Sequence, residues 1–419
     1  MNRSFRREGT LLLLTLMIAF PLLAQDLLIR GAHLPGPNGS KGEQVDVWVQ
    51  GGRIVSMGAG LEAPDAIAFD AEGLLITAGY IDSGTSVGLA DVSGLGTSND
   101  GEVEGDPNAA GFEVWRSLNE ASSMIPVAPN DGVTHGVIVP SAGDANFAGE
   151  SAMVRFVQGD GFVKTPSLAQ HLYLREWNRK VAGGSRGNAL QMVLADLDEA
   201  VRYARDQKQY NTSKLRAFSM EERDLKALVR VIKGQRPLVV HVDRAADIRK
   251  IVDSLARFPD LRLIISGGVE AWRVAPLLAE KKIPVLLNVL DNVPESFDRL
   301  GARLDAAAIL DQAGVPLAFM STTPYSEFRS LTQAAGVAVA NGLPWERALR
   351  AITAGPAEIW SIEGGRLAVG EVANLVLWDG DPIEITSAPT AVMIDGDWVN
   401  LETRQQKLSK RYRDLLNLK

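Results

Sequence analysis

The chain has no cysteine. Disulfides, thiol catalysis, thiolate metal sites and a lipidated N-terminal cysteine are therefore excluded. Histidine is scarce: there are four in 419 residues, His33, His135, His171 and His241. A catalytic zinc usually takes about three protein ligands and a water, so most of the four would have to converge on one place. Basic charge is also short. Lys and Arg number 43 against 51 Asp and Glu, and the formal charge of −8 argues against a general nucleic-acid binder. Long apolar runs are missing apart from Leu11 to Leu23, which Pro21 interrupts and which is short for a membrane span.

What is present begins with that run. Arg3, Arg6 and Arg7 precede it and the small Ala24 follows it, the grammar of a secretory leader over residues 1–24. Its removal takes away three Arg and one Glu and leaves a formal charge of about −10. An uncleaved membrane anchor is the competing reading. A cysteine-free exported chain suits an oxidising compartment, so a periplasmic protein with no stable membrane insertion after leader removal is expected. With 46% hydrophobic and 22% charged residues the remainder is ordinary globular sequence, long enough for a large core or two domains.

Residues 25–75 and 362–400 share one pattern. Short alternating stretches such as Val45 to Val49 and Ala391 to Ile394 are split by turn signals, Gly51-Gly52 in the first segment and Asp395-Gly396 in the second. Two hairpin-rich segments at opposite ends are expected to pair into one small β-sandwich. The middle, 76–361, alternates apolar strands (136–140, 237–242, 261–265, 283–287, 315–320) with helical patterns (190–207, 221–233, 245–256, 270–281, 302–313, 327–341). Such alternation predicts parallel βα units. A closed (β/α)8 TIM barrel fits the length, and an open doubly wound sheet competes on periodicity alone. Residues 93–130 read as a long glycine-broken loop, and 145–183 as an insertion holding one short strand, Met153 to Val157. The tail, 401–419, is a basic helix with Leu408, Tyr412, Leu415 and Leu416 on one face. It is expected to dock on the sandwich, with membrane-surface binding as the sharper alternative.

The stretch Ile76 to Gly88 reads as a buried strand ending in a small-residue lip, with Ile81-Asp82-Ser83-Gly84-Thr85-Ser86 at its end. Further motifs are Gly132 to Pro140, Val240-His241-Val242-Asp243, Ile265 to Trp272, Met320-Ser321-Thr322-Thr323-Pro324, and a long ending from Ala348 to Pro382. Together they resemble the imidazolonepropionase- and prolidase-like branch of the amidohydrolase superfamily over nearly the whole mature chain. The resemblance implies a TIM barrel of the metal-dependent hydrolase type with a split β-sandwich. It also implies a site at the C-terminal ends of the strands. In active relatives histidines, an acid or modified lysine, and a final aspartate bind one or two metals. The metal acidifies a water that attacks an amide or related C–N bond, and the aspartate moves the proton.

This sequence departs from that pattern. The two strand-one histidine positions are Gly84 and Ser86, the strand-six histidine position is Gly267, and the strand-eight aspartate falls on Thr322. His241 alone matches, and no strand-four lysine or glutamate is evident. The inherited binuclear site is therefore not expected, and no cofactor is. The alternative is one divalent metal such as zinc, held by His241, Asp243 and a loop acid. Ligand-binding candidates are His241, Asp243, Arg244, Asp82, Ser86 and Thr322. His241 also reads as a satisfied core histidine.

Two other motifs compete. Gly84-Thr85-Ser86-Val87-Gly88 matches Gly-x-Ser-x-Gly, but a nucleophile elbow needs a following helix and the next residues form a poor one. Asp100, Glu102, Glu104 and Asp106 offer calcium ligands or a solvated acidic loop, without the twelfth-position Glu of an EF-hand. The expected function is an amidohydrolase-family protein with a degenerate metal site. It would bind a small-molecule ligand, or pair with an active homologue or with itself. The alternative is a C–N bond hydrolase with a rearranged or mononuclear metal site.

Overall fold

The computed structural model describes residues 26–90, 98–210, 218–291, 293–321 and 329–415. The leader read at 1–24 and Thr322 lie outside them, as does part of the stretch after Ser86.

The first strands are β1 (Leu27–Pro35), β2 (Lys41–Gln50), β3 (Arg53–Gly58), β4 (Ile67–Asp70) and β5 (Leu75–Ala78). They join β16 (Leu375–Trp378), β17 (Pro389–Ile394) and β18 (Asp397–Trp398) in one eight-stranded sheet. Both chain ends therefore build it. The sheet closes over its own core of Ile29, Val47, Ile54, Ile76, Leu377 and Met393. The turn between β2 and β3 meets the segment leading into β16, where Ala373 N donates to Gly52 O at 2.8 Å.

β5 runs straight into the barrel. Gly79 separates it from β6 (Tyr80–Thr85), and Gly79 N donates to Asn374 O at 2.8 Å. A Cβ at Gly79 would overlap the side chain of Thr134 on the next strand, so only glycine fits there. Tyr80 stacks on Trp378 with ring centroids 5.1 Å apart, and Trp378 Nε1 donates to Thr77 Oγ1 at 2.9 Å. The sandwich thus fixes the first barrel strand.

The barrel continues with β7 (Val133–Ile138), β8 (Phe147–Glu150), β9 (Ala152–Arg155), β10 (Val163–Thr165) and β11 (Gln170–Tyr173). It ends with β12 (Leu238–Val242), β13 (Leu263–Gly267), β14 (Val285–Leu287) and β15 (Leu317–Phe319). β6 and β7 pair in parallel, and so do β11 through β15 in sequence. Between these two groups β8 and β9 form one bent segment that runs the other way. β9 pairs antiparallel with β7 and β8 antiparallel with β11. Residues 145–183 are therefore not an insertion, as the sequence pattern suggests; they supply the third and fourth staves of the wall. One inward side chain from each of the eight staves meets in the lumen: Ile81, Val137, Met153, Ala169, Val239, Ile264, Leu286 and Ala318. This layer makes the barrel a packed core rather than a pore.

Helices α1 (Arg186–Tyr210), α2 (Glu222–Ile232), α3 (Ala245–Leu255), α4 (Ala275–Glu280), α5 (Ala306–Gln312), α6 (Arg329–Ala340), α7 (Trp345–Ile352) and α8 (Ala354–Trp360) supply the helical layer. Strands covered on both faces read as continuous apolar runs, which is why β12 is Leu-Val-Val-His-Val and wholly buried. The tail forms α9 (Arg404–Leu415), but it does not dock as expected: Leu408, Tyr412 and Leu415 remain 38%, 58% and 65% exposed. The described part of its apolar face is short and its other side chains are mostly basic or polar, which favours solvation. Among the described residues no helix is long and apolar enough to cross a membrane.

Candidate functional site

The C-terminal ends of the staves carry the polar side chains. β11 and β12 are parallel neighbours with Tyr173 beside His241. His171, two residues beyond the lumen residue Ala169, lies on the fourth stave next to His241. Nδ1 of His171 is 2.9 Å from Nε2 of His241. One ring donates and the other accepts. Tyr173 stacks flat on His241, 3.9 Å between centroids, and its hydroxyl donates to Pro140 O at 2.8 Å. Burial pushes His171 down to about 3 and holds His241 well below the ordinary histidine range, helped by His171 and Arg175. Both rings are neutral at physiological pH.

Gly267 ends β13 at φ +84°. A Cβ there would collide with the Arg175 guanidinium and with Asp243 Oδ1. The space that the sequence resemblance assigns to a strand-six histidine is thus filled by a cation from the loop after β11. Asp243 is buried, with Oδ2 3.2 Å from Arg299 Nε and 3.4 Å from Arg175 Nε. Arg299 also reaches Asp291 at 3.1 Å. Arg244 is bound to Asp247 at 2.6 Å, so it is committed to the start of α3.

On the other side of the ring, Asp82 is fully buried on β6. Its Oδ1 accepts from Ser321 N at 3.0 Å and Gly84 N at 3.1 Å, and its Oδ2 meets no partner among the described residues. Burial raises it to about 6 against the lowering effect of those hydrogen bonds. Met320 Sδ lies 3.3 Å from where a Cβ on Gly84 would sit and 3.8 Å from Ser266 Oγ. The thioether thus fills the lumen between the first, sixth and eighth staves. Ser86 is half-buried beyond the strand end, and no helix starts in residues 86–90, so the nucleophile-elbow context is absent there.

Of the six candidates, His241 and Asp243 come together, Arg244 lies one residue on but faces α3, and Asp82 with Ser86 stands across the ring. The sequence reading missed His171, Arg175 and Met320. His135 lies at the opposite end of β7, near the ion pairs that join Asp395 to Arg155 and Lys164, and His33 Nδ1 lies 3.1 Å from Gly42 O in the sheet.

A metal centre of the kind the sequence resemblance implies does not fit these residues. The two imidazoles bind each other, the nearest carboxylate is held by two arginines, and a guanidinium and a thioether fill the space beside Gly267 and Gly84. Among the described residues no group of three or more His, Asp or Glu is placed to share an ion. The acidic run does not form one either: Asp106 pairs with Arg223 at 3.2 Å.

The amidohydrolase family profile matches residues 203–399. The amidohydrolase tasK of Hapsidospora irregularis is 24% identical over 390 residues, 84% of this chain but 39% of that protein's length. Among solved structures, an amidohydrolase from Thermotoga maritima MSB8 superposes with a TM-score of 0.81 at 24% identity, over 89% of this chain and 99% of its own. A prolidase complexed with N-methylphosphonate-L-proline superposes at 0.55 with 17% identity, over 90% of this chain and all of its own.

Proposed function

We propose, from the chain's place in the amidohydrolase superfamily, that it is an exported, periplasmic member whose barrel mouth binds a small organic ligand without metal-assisted hydrolysis. The observation that carries this is the double filling of the lumen. Arg175 covers Gly267 and Met320 covers Gly84, where the family places histidines. What remains at the mouth suits recognition. His171 Nε2 and Asp243 Oδ1 are buried and lack hydrogen-bond partners among the described residues, so a polar ligand that supplies a donor to the carboxylate and a partner to the imidazole would satisfy both. Trp177, Phe297 and Leu300 stand 55%, 75% and 64% exposed on the loops above β11 and β14. Apolar side chains on a mouth rim favour contact with a second barrel, either another copy or an active homologue.

The test is a screen of N-acyl amino acids and Xaa-Pro dipeptides against the full chain. Some of them should raise the melting temperature of the wild type and lose that effect in Asp243→Asn. None should be turned over, with or without added Zn(II). Zinc-dependent turnover abolished by both His171→Ala and His241→Ala would reject the proposal. It would favour the second reading, a mononuclear C–N hydrolase. That reading draws on the neutral His171–His241 pair, since neutral imidazole is the form that binds metal.

A further inference from the structure

A cavity of about 860 Å³ lies at the other end of the barrel. Pro237, Arg262, Pro284 and Pro316 immediately precede β12, β13, β14 and β15, and all four line it. It therefore opens under the N-terminal ends of four consecutive strands, a full strand length from the mouth. Its volume falls in the range of about 300–1,000 Å³ typical of small-molecule sites. Leu255, Phe258, Leu263, Leu317 and Ile359 give it an apolar floor.

The charges around it do not cancel. The two acids, Asp311 and Glu358, are taken up by Arg347 and Arg350. That leaves Arg262, Lys281 and Lys282. Arg262 Nε donates to a backbone carbonyl, Gly234 O, at 3.0 Å. The nearest carboxylate to Lys281 is its sequence neighbour Glu280, at 3.8 Å. Lys282 makes no ion pair among the described residues. Three cations around an apolar cavity are unexpected in a chain of net charge −8.

The backbone gives a second, independent observation. Helices α2, α5 and α6 are each followed by a glycine in the left-handed region: Gly234 at φ +65°, Gly314 at +83° and Gly342 at +100°. The equivalent residue after α4 is Lys282, at +53°. Four non-glycine residues among those described adopt this strained conformation, Asn38, Lys282, Ser361 and Asp395, and two of them line this cavity. A lysine held where glycine is cheaper implies that its ammonium is wanted at that place.

We propose that this lower cavity is a second ligand site, distinct from the mouth, that takes a carboxylate on a hydrocarbon body. The chain enters the apolar floor, and the carboxylate meets Arg262, Lys281 and Lys282 at the rim. The site is built only from groups unused at the mouth.

The experiment is calorimetric titration of the full chain with dodecanoate and, separately, with dodecyltrimethylammonium, both below their micelle concentrations. The wild type should bind dodecanoate saturably and one to one, and more tightly than the cationic probe. Lys282→Gly should raise the melting temperature, because the strain is gone. It should also weaken dodecanoate by about fivefold, the size of one half-exposed ion pair. Arg175→Ala, at the mouth, should leave dodecanoate binding unchanged while altering the ligand screen there, so that the two sites fail separately. Equal affinity for the two head groups, no saturable binding, or unchanged binding in Lys282→Gly would overturn the proposal.

Discussion

Burial keeps the histidines of the mouth neutral, and this has a consequence for pH. His171 is lowered to about 3 and His135 to about 4, and His241 is also lowered. In the unfolded chain each takes up a proton near the ordinary value of about 6.5. Below that pH the unfolded state binds protons that the fold refuses, so stability falls as pH drops, by up to about 1.4 kcal/mol per pH unit for each ring. Asp82, raised to about 6, and Asp196, raised to about 7, act the other way, because the fold binds their protons more readily. Glu150, Asp224, Asp291, Asp298 and Asp381 are raised as well and act in the same sense as Asp82 and Asp196, so the contribution of one ring is read by difference: between pH 7.5 and 5.5 the melting temperature of His171→Gln should gain on that of the wild type. Parallel profiles for the two proteins would show that His171 is not held neutral. Histidine scarcity and the glycines at 84 and 267 are legible from residue types alone. What packs over those glycines is not. Arg175 and Gly267 are 92 positions apart, and no local pattern marks an arginine that will reach over a glycine on another strand.

Elements were readable where the βα rhythm holds. The helix expected at 245–256 is observed at Ala245–Leu255, and the strand expected at 237–242 at Leu238–Val242. The rhythm fails at 145–183 for a physical reason. The third stave runs antiparallel and needs no crossover helix before or after it, so the apolar run Leu168 to Leu174 stands without a flanking helix on its N-terminal side. Reading it as an insertion hid His171. That stave is held at Glu150, which is fully buried and accepts from Ser167 Oγ and, at 2.7 Å, from Arg230 of α2. Burial raises the Glu150 carboxyl despite those partners. Arg230→Met would leave the carboxylate without its guanidinium. A loss of about 2 kcal/mol at pH 8 is expected in urea unfolding, below the usual figure for a buried pair because Arg230 is partly solvated. The loss should shrink at pH 4, where a protonated Glu150 has no charge to compensate. A pH-independent loss would assign the effect to packing instead.

At the scale of the molecule, the two chain ends close one sheet, and that sheet fixes the first strand of the barrel through Gly79, Tyr80 and Trp378. This much was legible, because hairpin punctuation at both ends surrounds a βα middle. What the pattern could not convey is that the barrel has two unlike ends. At one end arginines, neutral histidines and a thioether crowd the strand ends where the sequence resemblance would put metal ligands. At the other an open, cationic cavity lies under four strand starts. Selectivity at either end is set by loops, not by the repeat that makes the barrel.

Arg175 and Met320 fill the space beside Gly267 and Gly84 that the sequence resemblance assigns to metal ligands. Elemental analysis by mass spectrometry, on full chain purified without chelators and dialysed, is the sharpest check of whether a metal can still be held there. Less than about 0.1 transition-metal ion per chain is expected, before and after incubation with Zn(II), since no set of three donors among the described residues is placed to hold one. About one zinc or iron per chain, retained through dialysis and lost in His171→Ala and His241→Ala, would contradict it.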